Sequence, residues 1–199
     1  KKETEEKKEK IKTLVVTEGE KKSQVACKFE LPCIGIPGIH NYKDRDTKDL
    51  PGDFKRLIKD CKVENIIFLH DADAFGPLKI SELAVDQHDL SVRLNSFASS
   101  VREYRELIKS LTVDFYYAFI ETEYESRAKG LDDLYHLCID NPLAVTNDLL
   151  ALSRSKKFFK VFTSQKLRGP GLNNIFYLDL NGIDRFYSDF SSVLHGSTF

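Results

Sequence analysis

Apolar positions along the chain fall into two alternating patterns. Short continuous runs rich in β-branched and aromatic residues predict four strands: Thr13–Val16, Cys33–Ile36, Asn65–Leu69 and Val113–Ile120. The segments between these runs repeat apolar residues at helical spacing, as from Phe54 to Cys61, which is typical of a helix that buries one face. Strands and helices that alternate in this way predict an α/β fold, with about four parallel strands flanked by helices.

The predicted helices separate apolar from charged side chains. The first of them, over Glu20–Phe29, buries one face and leaves three lysines facing water: Lys21, Lys22 and Lys28. Two further helices lie between the last two strands and after the fourth strand: Leu94–Leu111 and Leu131–Cys138.

The chain divides into three parts. Residues 1–10 alternate acidic and basic side chains without apolar anchors, which predicts a charged linker. Residues 11–140 form the α/β domain, and residues 141–199 form a C-terminal α/β extension of unknown role. Within the extension the pattern predicts a helix and two strands: Val145–Leu152, Phe158–Thr163 and Asn174–Leu180. This part either extends the edge of the sheet or forms a small separate module.

Acidic residues follow three of the predicted strands: Glu18 after the first, Asp71 and Asp73 after the third, and Asp132 and Asp133 after the fourth. Because the carboxyl ends of parallel strands meet at one edge of the sheet, these carboxylates are expected to gather there. They would repel one another unless a cation joined them. Mg²⁺ prefers a few carboxylate oxygens and keeps waters for substrate phosphates. The sequence therefore predicts a Mg²⁺ site, which Mn²⁺ can also fill.

The spacing of Asp71 and Asp73 suits a shared ion, because residues two apart at the end of a strand point to the same side. Gly19 and Gly76 follow the acidic residues and allow the backbone to turn sharply there. Each acidic residue also has a purely structural interpretation, since Asp caps helices and makes turns. Their joint order at the ends of successive strands favours the metal site.

The same residues resemble the motifs of the Toprim domain. Thr17-Glu18-Gly19 is similar to its first motif, a strand that ends in Glu-Gly. The segment from Ile67 to Gly76 resembles its second, an apolar strand leading to Asp-x-Asp-x-x-Gly, and the segment from Lys129 to Leu134 resembles the short motif that follows the next strand in primase-type members. The resemblance covers roughly residues 11–140 and is strongest to the Toprim-like domains of plasmid- and phage-encoded primase or helicase proteins.

This resemblance implies a Rossmann-like sheet and a role for each residue. Glu18 is expected to act as general acid/base and to contribute to the metal site, while Asp71 and Asp73 hold Mg²⁺. Asp132 would be a further ligand or lie next to the ligands. Contacts to phosphate or nucleic acid are expected from three lysines: Lys21, Lys22 and Lys129. His70, which the motif does not require, is expected to be a partly buried, hydrogen-bonding side chain.

The implied activity is Mg²⁺-dependent phosphoryl transfer on nucleic acid, above all primase-type nucleotide addition from nucleoside triphosphates in the replication of mobile-element DNA. Two other interpretations of the same acidic residues stay open. A metal-dependent nuclease would use them to activate water, whereas a non-catalytic module would bind nucleic acid or a partner protein without using them. In an unrelated doubly wound domain their positions would be a coincidence.

Composition changes this picture in two respects. The net charge of −1 offers no general basic surface to nucleic acid, so binding would depend on a local patch or on the metal ion. The chain contains no Met, which indicates a piece of a longer protein whose other domains, such as a helicase, would be its partners.

No apolar run could cross a bilayer, no signal peptide opens the chain, and the four cysteines are too scattered for a zinc site. A cytoplasmic protein without membrane contact is therefore expected.

Overall fold

Among the residues that the structure describes, a five-stranded sheet in the order β2-β1-β3-β4-β5 organises the fold. The computed structural model describes residues 10–72, 100–101, 103–120, 128–152 and 157–163. The strands are β1 (Thr13–Glu18), β2 (Cys33–Ile36), β3 (Asn65–His70), β4 (Asp114–Ile120) and β5 (Phe159–Thr163). The first four run parallel, and β5 pairs antiparallel with β4. The predicted α/β fold with four parallel strands is thereby confirmed.

Helices cover both faces of this sheet. They are α1 (Glu20–Lys28), α2 (Gly52–Asp60), α3 (residues 100–101 and 103–108), α4 (Leu131–Leu137) and α5 (Pro142–Leu150). The helices α1, α4 and α5 pack on one face, and α2 and α3 pack on the other. Across the described ranges, every helix is too short or too polar to cross a membrane.

The central strands β1 and β3 are buried on both faces, which is why they read as continuous apolar runs. Val16 and Phe68 point into the core beneath α2 and α3, whereas Val15 and Ile67 point into the core beneath α1, α4 and α5. The first of these cores is rich in aromatic rings, and Tyr104 of α3 stacks on Phe68 with ring centroids 4.4 Å apart. Two packed faces fix the register of the strands and therefore the level at which each strand ends.

The C-terminal extension joins the same sheet and core as far as it is described. The helix α5 begins at Pro142, earlier than the predicted Val145, because proline suits the first helical turn. It ends at Leu150 rather than at Leu152, whose backbone is in the left-handed region with φ 51°. The strand β5 pairs with β4 and is the last strand on that side within the described part of the sheet. The charged segment at residues 1–9, the residues 94–99 of a predicted helix and the predicted strand over 174–180 lie outside the described residues.

Burial is the main cause of the lowered pKa of His70, the last residue of β3. Its side chain is 1% exposed, and its Nδ1 atom lies 3.3 Å from the hydroxyl oxygen of Tyr117. A hydrogen-bonding histidine was predicted here, and the structure buries it fully rather than partly. This burial, followed by the charge of His40, lowers the pKa of His70 from its ordinary value of 6.5 to about 3.

We expect the free energy of unfolding to fall as the pH is lowered from 6.5 toward 3. In that window unfolded His70 takes up a proton that the folded protein does not, so acid favours the unfolded state, by at most about 1.4 kcal/mol per pH unit. Urea unfolding from neutral to mildly acid pH, compared between the wild type and His70→Gln, measures this. The variant should show a shallower slope. Equal slopes would mean that His70 titrates alike in both states.

Candidate functional site

The carboxyl edge of the sheet has a topological switch point between β1 and β3. From β1 the chain moves outward to β2, and from β3 it moves in the opposite direction to β4. Ligands of open α/β sheets bind in the crevice at such a point. Thr17 pairs with Leu69, so Glu18 ends β1 level with His70, and Asp71 follows directly. Glu18 and Asp71 therefore lie at the same edge of the sheet, at the ends of neighbouring strands, as the positions of the acidic residues had predicted.

A tight turn holds Glu18 at the end of β1. Gly19 adopts φ 91°, which favours glycine, and its N–H donates to the carbonyl oxygen of Ile36 at 2.8 Å. A methyl group on Gly35 of β2 would lie 2.6 Å from the carbonyl oxygen of Gly19 and 2.9 Å from Cα of Glu20. The turn can thus pack directly on β2 only because Gly35 has no side chain. The Glu18 side chain is half-buried, and it has no ionic or hydrogen-bond partner among the described residues.

Asp71 forms an ion pair with Lys22, in the first turn of α1. The Lys22 ammonium donates to both carboxylate oxygens, at 2.7 and 2.6 Å. The side chains of Lys22 and Asp71 are only 18% and 10% exposed. The prediction that Lys22 faces water is therefore wrong, because the first turn of α1 lies against the end of β3. Lys21 and Lys28 are exposed as predicted.

The loop before α4 completes this arrangement. The N–H of Ala72 donates to the carbonyl oxygen of Lys129 at 2.8 Å, which ties the end of β3 to the loop. A methyl group on Gly130 would lie 2.6 Å from Cε of Lys22 and 2.7 Å from Oδ1 of Asp132. The start of α1, the end of β3 and the start of α4 therefore meet around Gly130. The side chain of Lys129 is exposed, and that of Asp132 is half-buried.

Asp133 has a structural role at the start of α4. Its Oδ2 atom accepts the backbone N–H groups of Lys129 and Gly130, both at 3.1 Å. As in a capping box, the carboxylate of the third helical residue thus reaches back to the N–H groups just before the helix, and its negative charge suits the positive end of the helix. This agrees with the structural interpretation of Asp133.

The carboxylate oxygens at this edge are of the kind that a divalent cation prefers as ligands. The ammonium of Lys22 already occupies the place of a cation on Asp71. Glu18 and Asp132 supply further carboxylates at the same edge, although the described part of the chain holds no group of three metal-binding side chains. Mg²⁺ often binds through one or two carboxylates together with substrate phosphates, so a preformed cage is not required. The predicted ligand Asp73, like Gly76, lies outside the described residues.

Two features of the site were not predicted from the sequence. One is the ion pair of Lys22, which the helical pattern assigned to water or to a phosphate. The other is the close contact of Gly35 with the turn at Gly19. A signal for the second existed, because an isolated glycine inside a strand often marks a close backbone approach.

The fold and the site define an α/β domain whose acidic residues flank the switch point of a parallel sheet. Residues 6–136 match the model of a family described as Domain of unknown function (DUF3854). The chain belongs to this family, since the match covers most of its length. Searches of curated proteins and of solved structures found no match.

Proposed function

We propose that this chain is a Toprim-like catalytic domain that performs Mg²⁺-dependent phosphoryl transfer on nucleic acid, with nucleotide addition in primer synthesis as its reaction. The observation that carries the proposal is the position of Glu18 and Asp71 on either side of the switch point. Substrates of open α/β sheets bind at that place. Two carboxylates on neighbouring strand ends there are suited to metal-assisted chemistry on phosphates.

The positions of the side chains support distinct roles. Asp71 would hold the metal ion together with Asp73, and Asp132, which lies beside Gly130 at the start of α4, would be a further ligand. Bound Mg²⁺ would neutralise the charge that develops on the transferred phosphoryl group. Glu18 would accept the proton of the attacking hydroxyl, because its half-exposed carboxylate is not engaged by another described residue.

The positive charge that would bind the substrate comes from a few lysines at this edge rather than from the net charge of the chain. Lys21 is exposed in the first turn of α1, where the backbone N–H groups also favour an anion. Lys129 is exposed on the loop before α4, at the same edge. These two side chains would contact the phosphates of a nucleoside triphosphate or of the nucleic acid. Further domains of a longer protein, such as a helicase, would bring the DNA to this edge.

Calorimetric titration of Mg²⁺ and of Mn²⁺ tests the metal site directly. After subtraction of the heat of metal binding to the nucleotide alone, we expect saturable binding to the wild type in the presence of a non-hydrolysable nucleoside triphosphate, lost in Asp71→Asn. Asp140→Asn is the matched control, because this exposed carboxylate lies outside the site. Equal binding by all three proteins, or none by the wild type, would contradict the proposal. Product analysis then separates the reactions, since a primase forms dinucleotides and a nuclease cuts a strand.

A further inference from the structure

We infer that Lys22 competes with the metal ion for Asp71, and that its ammonium moves to a substrate phosphate when the metal binds. This inference rests on the proposed function, which places the metal on Asp71. It adds a regulation of the site: metal alone binds weakly, and metal with a nucleoside triphosphate binds strongly.

The geometry of the ion pair makes the two cations exclusive. The Lys22 ammonium contacts both oxygens of Asp71, at 2.7 and 2.6 Å, and the carboxylate is 10% exposed. A metal ion that approaches Asp71 therefore meets an acceptor already engaged by a cation. Two cations on one carboxylate would repel each other, so binding of the metal requires the ammonium to leave.

The surroundings of Lys22 give the ammonium another place to go. Lys22 lies in the first turn of α1, and its stem runs past Gly130. A methyl group added to Gly130 would lie 2.6 Å from Cε of Lys22. Glycine at this position leaves room for the stem beside the loop. A lysine stem is flexible, and its ammonium donates in several directions. A phosphate bound near the start of α1 would lie within the range of the released ammonium.

The exchange couples the binding of metal and substrate. A triphosphate offers the ammonium a new partner, so it reduces the free energy needed to vacate Asp71. The metal in turn leaves the ammonium available for the phosphate. Each ligand is therefore expected to raise the affinity of the other by the same factor, as thermodynamic linkage requires.

The test is calorimetric titration of Mn²⁺ into the full chain, with and without a non-hydrolysable adenosine triphosphate analogue, after subtraction of the heat of Mn²⁺ binding to the analogue alone. Lys22→Met keeps the stem and removes the charge, and Lys28→Met is the matched control on an exposed lysine near the other end of α1. We expect Lys22→Met to bind Mn²⁺ alone about tenfold more tightly than the wild type. The gain in Mn²⁺ affinity caused by the analogue should shrink by a similar factor, and Lys28→Met should match the wild type with and without the analogue.

The outcomes separate this inference from the proposed function. Unchanged or weaker binding of Mn²⁺ by Lys22→Met, with binding still lost in Asp71→Asn, would overturn the competition and leave the metal site in place. Binding unaffected by Asp71→Asn would overturn both. Circular dichroism checks that each variant is folded, and Lys22→Gln, which retains a hydrogen-bond donor, replaces Lys22→Met if that variant does not fold. The same signs of change are expected for it.

Discussion

Asp71→Asn is expected to reduce primer synthesis by at least about a thousandfold, because it removes a charge that would hold the metal ion. The asparagine has nearly the same shape and can still accept a hydrogen bond from Lys22, so the fold should persist. Primer formation from nucleoside triphosphates on a single-stranded template, at saturating Mg²⁺, measures the effect. Circular dichroism confirms that the loss is not one of structure.

Glu18→Gln provides the second half of this prediction. Loss of the proton acceptor is expected to lower the rate about a hundredfold or more, with metal binding reduced less than in Asp71→Asn. Glu20→Gln is the matched control, because Glu20 is an exposed carboxylate just beyond the same turn. Primer synthesis that survives in both Glu18→Gln and Asp71→Asn would exclude the proposed chemistry.

Gly35→Ala is expected to destabilise the protein by about 2–3 kcal/mol, through overpacking against backbone that cannot move independently. The added methyl group would lie 2.6, 2.8 and 2.9 Å from three backbone atoms of Gly19 and Glu20. Relief of this contact requires the turn to shift away from β2. Because the turn carries Glu18, the proposed primer synthesis should fall as well.

Urea unfolding of Gly35→Ala beside Gly52→Ala measures this contact. A methyl group on Gly52, at the start of α2, would meet no atom within 4 Å, so that variant should be neutral or slightly stabilised. The same substitution is thus compared in a crowded and in an open place. Similar unfolding free energies for the two variants would show that the turn yields without strain.

The sheet could be predicted from the sequence because burial on both faces leaves a strong signal. Val15, Val16, Ile67 and Phe68 are all 0% exposed. Apolar runs of this kind, separated by regular helical segments, are typical of parallel strands that are buried on both faces. The beginning of α5 was harder to predict, because a proline such as Pro142 can either end a helix or occupy its first turn. Only the packing of α5 against the core decides between the two.

The site was predictable in its acidic residues and less so in its lysines. Glu18 and Asp71 follow apolar strands, and parallel pairing brings such strand ends to one edge whatever the loops do. Lys22 is one of several lysines in the short helix α1. The helical pattern alone does not show which of these lysines lies against the end of β3. The ion pair with Asp71 depends on that tertiary contact, which the local sequence does not encode.

The packing of α5 and β5 has a consequence for fragments of this protein. The family match ends at residue 136, within α4, yet Val145, Leu149 and Phe159 beyond it are all 0% exposed. A fragment that ends at that boundary would lack α5 and β5, so the apolar surface that they cover would be exposed. It would also leave β4 as an unpaired edge, open to pairing with other chains and to aggregation. Expression of this domain as a folded piece that does not aggregate therefore requires residues through β5.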